Sequence, residues 1–220
     1  MMTGVQICKP VLLVEGDGDM AAVPALIRRL KDALQIFTLA PCANPIKCGE
    51  IASLKRKGEL EKFAQYACRR PEATSALIVI DCDDDCPVEI SQEFASRLLP
   101  IAERYDKRIG LALLQKEFET LFLYSLPELC KAYPAYGWQV SRADETKDWS
   151  ALRGAKGELN RRMNNYSYKE TRDQVRFVSA LDPGQLEHKC RSFLHLKTLL
   201  QWMVTDGSEG MVYPPLRMES

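Results

Sequence analysis

The stretch Ala76-Leu-Ile-Val-Ile80, followed by Asp81-Cys-Asp-Asp-Asp85, constrains the fold more than any other part of the chain. The apolar run does not alternate with polar residues. It therefore predicts a strand buried on both faces, as in a parallel sheet sandwiched between helices. The run then breaks into four aspartates within five residues, Asp81 and Asp83 to Asp85. Carboxylates about 4 Å apart repel by roughly 1 kcal/mol in water and by several times that near a protein surface. Solvent, a helix N-terminus or a bound cation must offset this repulsion.

The flanking sequence extends the pattern. Pro10 to Glu15 reads as a short buried strand, with a turn at Gly16 to Asp19. Met20 to Leu34 has helical spacing, with Ala22, Leu26, Ile27 and Leu30 on one face. Gln35 to Leu39 is a candidate second strand, Pro41 to Gly49 a loop, and Glu50 to Arg70 a polar helix ended by Pro71. Ser91 to Tyr105 is helical, Ile109 to Leu114 is a strand, and Phe118 to Leu126 begins a helix closed by Pro127. Strands alternating with helices predict βαβ units and an α/β fold with a parallel sheet flanked by helices. After Pro134 the pattern fades. Trp149 to Met163 and Leu186 to Val204 look helical, with Tyr166 to Asp173 between them, and Asp206 to Ser220 reads as a loose tail. The expected organisation is a metal-binding α/β domain over 1–132 and a mainly helical, basic extension over 133–220 packed on it.

Lysine plus arginine equals aspartate plus glutamate, 30 each, so global charge indicates no partner. The balance is uneven, however. From Ala151 to Leu200 there are ten Lys/Arg and five Asp/Glu, a local excess of five. No apolar run is long enough to span a bilayer, and the start MMTGVQICKP has no signal-peptide core, so a cytoplasmic protein without a membrane partner is expected. Eight scattered cysteines then read as reduced thiols. Cys42 with Cys48, or Cys82 with Cys86, match no tight zinc pair.

Ligands in open α/β sheets bind beyond the carboxyl ends of the strands. Glu15 closes the first strand, Asp81 and Asp83 close the third, and Glu117 and Glu119 follow the fourth. If these strands are neighbours, hard oxygen ligands converge at one edge, which suits Mg²⁺ or Mn²⁺. If the chain stays extended, the D-x-D spacing points Asp81 and Asp83 the same way. Taken singly, DCDDD is a helix cap or solvated loop, VEGDGD a glycine-rich turn, and EFE an exposed helix start. Their conjunction at strand ends favours a metal site.

That conjunction resembles the TOPRIM domain of topoisomerases, primases and OLD-family nucleases, whose pattern is Glu-Gly after the first strand and Asp-x-Asp after the third. Here these are Glu15-Gly16 and Asp81-Cys82-Asp83. The resemblance implies a TOPRIM-like parallel sheet flanked by helices and Mg²⁺-dependent phosphodiester chemistry, over the first half of the chain. The segments NPIKCGEI, EFETLF, ALRGAKGELNRRM, YKETRDQ and RSFLHL resemble, nearly end to end, a bacterial TOPRIM-like family of unknown function often encoded beside an ABC-type ATPase. This implies a bacterial protein with a role in phage defence and an ATPase partner. Topoisomerases carry a catalytic tyrosine, and nothing here identifies one.

On a nuclease reading, Glu15, Asp81 and Asp83 bind metal, and Glu117 or Glu119 completes a second site. With one metal, Glu15 is instead the general base. Asp84 and Asp85 face solvent or support the ligands, while Asp17 and Asp19 serve the turn and the helix N-cap. Lys156, Arg161, Arg162, Lys169, Arg172 and Arg191 are candidate phosphate contacts, with Tyr166 and Tyr168 available to stack on bases. Lys47 and Lys55 could sit over a scissile phosphate. Ser192 and His195 make no triad, since no Gly-x-Ser-x-Gly elbow occurs, and no phosphate-binding Gly-x₄-Gly-Lys-Ser/Thr loop occurs either. Two other functions stay open: a non-catalytic adaptor on an ATPase, and a phosphohydrolase of small phosphate esters.

Overall fold

Strand β1 (Pro10–Val14) is buried along its whole length, and so is all of β3 (Ser75–Asp81) except the final aspartate. The computed structural model describes residues 7–205, 207 and 210–216. Five strands form one all-parallel sheet in the order β2 (Ile46–Lys47), β1, β3, β4 (Arg108–Leu114), β5 (Val212–Tyr213). Side chains alternate between its faces. Leu12, Val14, Leu77 and Val79 face α1 (Asp19–Ala33) and helices from the second half of the chain. Val11, Leu13, Ile78 and Ile80 face α2 (Ile51–Leu54), α3 (Glu59–Arg69) and α4 (Pro87–Tyr105). After β4 come α5 (Thr120–Tyr124), α6 (Leu126–Ala132), α7 (Ala155–Arg162), α8 (Glu170–Val178), α9 (Pro183–Lys189) and α10 (Arg191–Met203). These last helices share the α1-side core, where α8 packs on α1 and α10 on β4.

Several expected elements differ, each for a local reason. Gln35 to Leu39 forms no strand, because Gln35 adopts φ 55°, and only Leu39 bridges Cys8. The second strand is Ile46–Lys47, inside the expected loop; two residues are too few to leave a pattern. The helix expected over Glu50 to Arg70 is two helices, divided where Gly58 takes φ 86°. Pro127 opens α6 instead of closing α5, because a first turn needs no proline N–H. The helix expected from Trp149 starts only at Ala155, after Gly154 at φ 72°. Helix α8 begins within the connecting segment, and its buried face includes the polar residues Asp173 and Gln174, which hides its period. An extended Cys190 separates α9 from α10. The expected loose tail contributes β5, while 206, 208, 209 and 217–220 lie outside the described residues.

Candidate functional site

The chain runs from β1 to β2 on one side and returns to β3 on the other, so the strand order reverses between β1 and β3. A crevice at such a reversal is where open α/β sheets bind ligands. Glu15 and Asp81 stand there. β1 and β3 pair in parallel as far as Val14 with Val79, and the Asp81 backbone N–H donates to Glu15 Oε2 at 3.1 Å. Asp83 does not repeat the direction of Asp81. The strand ends at Asp81, and Asp83 turns into the left-handed region at φ 47°, its N–H donating to Lys116 O at 3.1 Å. Asp83 instead lines a cleft of about 340 Å³ with Asp84, Lys116, Glu117 and Arg153.

The acids fall into two electrostatic groups. Asp17 pairs with Lys47 at 2.9 Å, Asp85 with Lys55 at 2.5 Å, and Asp84 with Lys116 at 2.9 Å and Arg153 at 3.0 Å. Among the described residues, no ion pair reaches Glu15, Asp19, Asp81, Asp83 or Glu119. Burial and the neighbouring carboxylates push the Glu15 carboxyl up to about 7. Burial, then Glu15, Glu119 and Asp19, push Asp81 well above the usual carboxylate range. Asp19 and Asp83 are raised mainly by desolvation, with like charge adding to it. Glu119 is buried and also raised by desolvation, although Tyr168 donates its hydroxyl to Oε1 at 2.7 Å and Gln174 its amide at 3.2 Å.

Glu117 has a different role from Glu119. Its carboxylate accepts the N–H groups of Gly154 at 2.8 Å, Ala155 at 3.1 Å and Lys156 at 3.2 Å, so it caps α7. Asp19, expected only as a turn and cap residue, accepts the Gly16 N–H at 2.9 Å and belongs to the inner group. Its place four residues after Glu15 was the one available signal. Tyr168 is buried on Glu119 and is closed to bases, whereas Tyr166 is exposed. Nothing local in the sequence marks Tyr168 or Gln174; α8 brings Gln174 in by packing on α1.

The donor set fits a hard divalent cation. It is all oxygen, it is uncompensated, and the buried Gln174 has an Oε1 without a hydrogen-bond partner, directed at Gly18 in the same turn. Among the described residues no group of three or more acids, cysteines or histidines stands ready as a cage. Mg²⁺ does not require one, because it keeps several waters and uses one or two carboxylates.

The expected phosphate contacts are unevenly available. Arg162 lies over Trp149 and is held by Asp144 at 2.5 Å and Glu158 at 2.9 Å. Lys156 pairs with Glu170, Arg161 with Glu158 at 2.6 Å, and Arg172 with Asp173 at 2.6 Å. Lys169 and Arg191 are exposed and make no ion pair among the described residues.

No family model matches the chain, and no curated protein matches it. Among solved structures, the C-terminal region of the Xanthomonas campestris pv. campestris OLD protein is similar at 14% identity. The match covers 88% of this chain and 97% of that one, with a TM-score of 0.31. Likeness at that level carries no argument for function. Among the described residues no helix is long and apolar enough to cross a membrane.

Proposed function

We propose that the chain is a Mg²⁺- or Mn²⁺-dependent enzyme that cleaves or processes nucleic-acid phosphodiesters, acting in phage defence with an ABC-type ATPase. The carrying observation is the inner set of carboxylates at the strand-order reversal, raised in pKa and without a cation partner among the described residues. The Glu15-Gly16 and Asp81-Cys82-Asp83 motifs support it. The partner and the defence role rest on sequence resemblance alone.

The chemistry supplied by a bound divalent ion is polarisation of a phosphoryl oxygen and relief of carboxylate repulsion. Glu15 and Asp81 would hold that ion, with Asp19 and Asp83 beside them. A Glu15 carboxyl near 7 also exchanges a proton at neutral pH, which suits a general base. Tyr168 and Gln174 fix the orientation of Glu119. Lys116 and Arg153, at the cleft of Asp83, can meet substrate phosphate as Asp84 releases them.

Asp81→Asn tests the proposal. Calorimetric titration should show Mn²⁺ binding to the wild type and none to the variant, and metal-dependent cleavage should disappear with it. In metal-free buffer the variant should melt no lower than the wild type, since one of several repelling charges is gone. Wild-type cleavage by Asp81→Asn, or no divalent binding by the wild type, overturns the proposal.

A further inference from the structure

β5 pairs only with Ile109 and Gly110, so the upper half of β4 has no described strand on that side. Ile109 N–H donates to Met211 O, whereas Leu114 O accepts from Cys82 N–H on the β3 side. By this alternation the main-chain groups of Leu113 face the open edge. A cavity of about 370 Å³ lies there. Pro87 and Val88 of α4 form one wall with Leu113; Arg191, Ser192 and His195 of α10 form the other. The volume is within the range of small-ligand sites, about 300–1,000 Å³.

The chemistry of the walls is specific. Arg191 is the one formally charged lining residue; it is exposed and makes no ion pair among the described residues. It opens a 13-residue helix, whose positive end adds to its field. The opposite wall is mainly apolar: Val88 is 48% exposed, and the Ser91 hydroxyl there is turned back onto Val88 O at 2.9 Å. The His195 ring is half-buried and lies 5.2 Å from the ring of Tyr213. An anion joined to a flat, weakly polar body suits such a cavity, and a nucleotide has that form. The cavity also adjoins the acidic edge: Gln115 in its lining precedes Lys116 of the acidic cleft, and Pro87 follows the aspartate turn.

We propose that this cavity seats one unpaired nucleotide of the strand being processed, its phosphate at Arg191 and Ser192 and its base between Val88 and His195. The inference rests on the nucleic-acid function proposed above. Arginine recognises phosphate by charge-assisted hydrogen bonds. A base can enter a concave site only when it is free of its partner strand. The site thus selects single-stranded or frayed substrate and holds it beside the acidic edge, where like charge alone would repel it.

The test uses the full chain in EDTA, so that it does not depend on metal. Fluorescence anisotropy would follow a labelled single-stranded oligonucleotide and a blunt duplex, with dAMP as competitor. The single strand should bind more tightly than the duplex. Arg191→Ala and Val88→Trp should each weaken it by about tenfold, the effect of losing one charge-assisted contact or the base seat. The His195 ring resonances should shift with dAMP in the wild type and stay fixed in Val88→Trp, whose fold a thermal melt checks. Single-strand binding that is equal in the wild type and both variants overturns the proposal. Competition by dAMP with no preference for single strand over duplex also overturns it, and identifies a free-nucleotide site instead. Failure of the nuclease proposal would show separately, as absent cleavage with this binding pattern intact.

Discussion

Glu15 has a carboxyl raised to about 7 because burial removes its water and Asp83, Asp19 and Glu50 add like charge. A folded-state pKa above the unfolded value means that the native state binds the proton more tightly. Glu15 is therefore neutral to stability at low pH and increasingly destabilising as pH rises from about 4.5 to about 7, with the full penalty present above that. The penalty is at most roughly 3 kcal/mol, and less at a half-buried site. Glu15→Gln should melt with the wild type at pH 4 and higher than it at pH 8 without metal, by about 2–4 °C for each kcal/mol relieved. An unchanged difference between the two pH values would remove Glu15 from the repelling set. Arg162 behaves oppositely. It holds the Asp144 carboxyl down at about 2, so that pair stabilises above pH 4 and is lost as pH falls toward 2. Arg162→Ala should destabilise by about 3 kcal/mol, since it leaves the buried Asp144 carboxylate without a cation while Glu158 keeps Arg161. Melting like wild type would show that the cluster contributes nothing. Glu15 and Asp81 were legible in the sequence because strand ends set their place. Arg162 was not: its partners lie on another turn of its own helix and 18 residues away, and no pattern records that meeting.

At the scale of elements, what the sequence shows depends on whether the cause is local. β1, β3 and β4 are continuous apolar runs and could be located directly. The break between α2 and α3 depends on one residue. Gly58 at φ 86° has nothing near its missing Cβ, so an alanine there meets only backbone strain. Gly58→Ala should cost about 1–2 kcal/mol, read by urea denaturation. No loss would mean that the turn relaxes to another conformation. Helix α7 has its N-terminal cap 37 residues upstream, in Glu117. A carboxylate following a strand at a candidate metal edge reads as a ligand, yet here three backbone N–H groups take it. Glu117→Ala should destabilise by about 0.5–2 kcal/mol, as loss of an N-cap does. It should leave divalent-ion affinity largely intact. A large loss of Mn²⁺ affinity with unchanged stability would return Glu117 to the metal site.

At the scale of the whole molecule, the excess of positive charge between Ala151 and Leu200 is partly met from outside the segment, by Asp84 at Arg153 and Asp144 at Arg162. Within it, Lys156, Arg161, Arg172 and Lys197 pair with acids that the net count already subtracts, and Arg176 lies over the Tyr133 and Tyr136 rings. Exposed Lys169, Lys189 and Arg191 have no such partner among the described residues, so on the proposed function they are the cations of this segment most open to phosphate, Lys169 and Arg191 being tested here. Each contact to single-stranded nucleic acid contributes about 0.7 to the slope of log affinity against log salt, and about 0.9 on duplex DNA. Lys169→Glu with Arg191→Glu should therefore flatten the slope by roughly one and a half on a single strand. Lys156→Gln removes a charge already neutralised by Glu170 and should leave the slope nearly unchanged. A titration from low to moderate salt distinguishes these cases. If the double variant keeps the wild-type slope, nucleic acid does not bind this face, and the basic helices serve the fold or a protein partner. If Lys156→Gln flattens the slope by about 0.7, the Lys156–Glu170 pair opens on binding and Lys156 counts as a further phosphate contact.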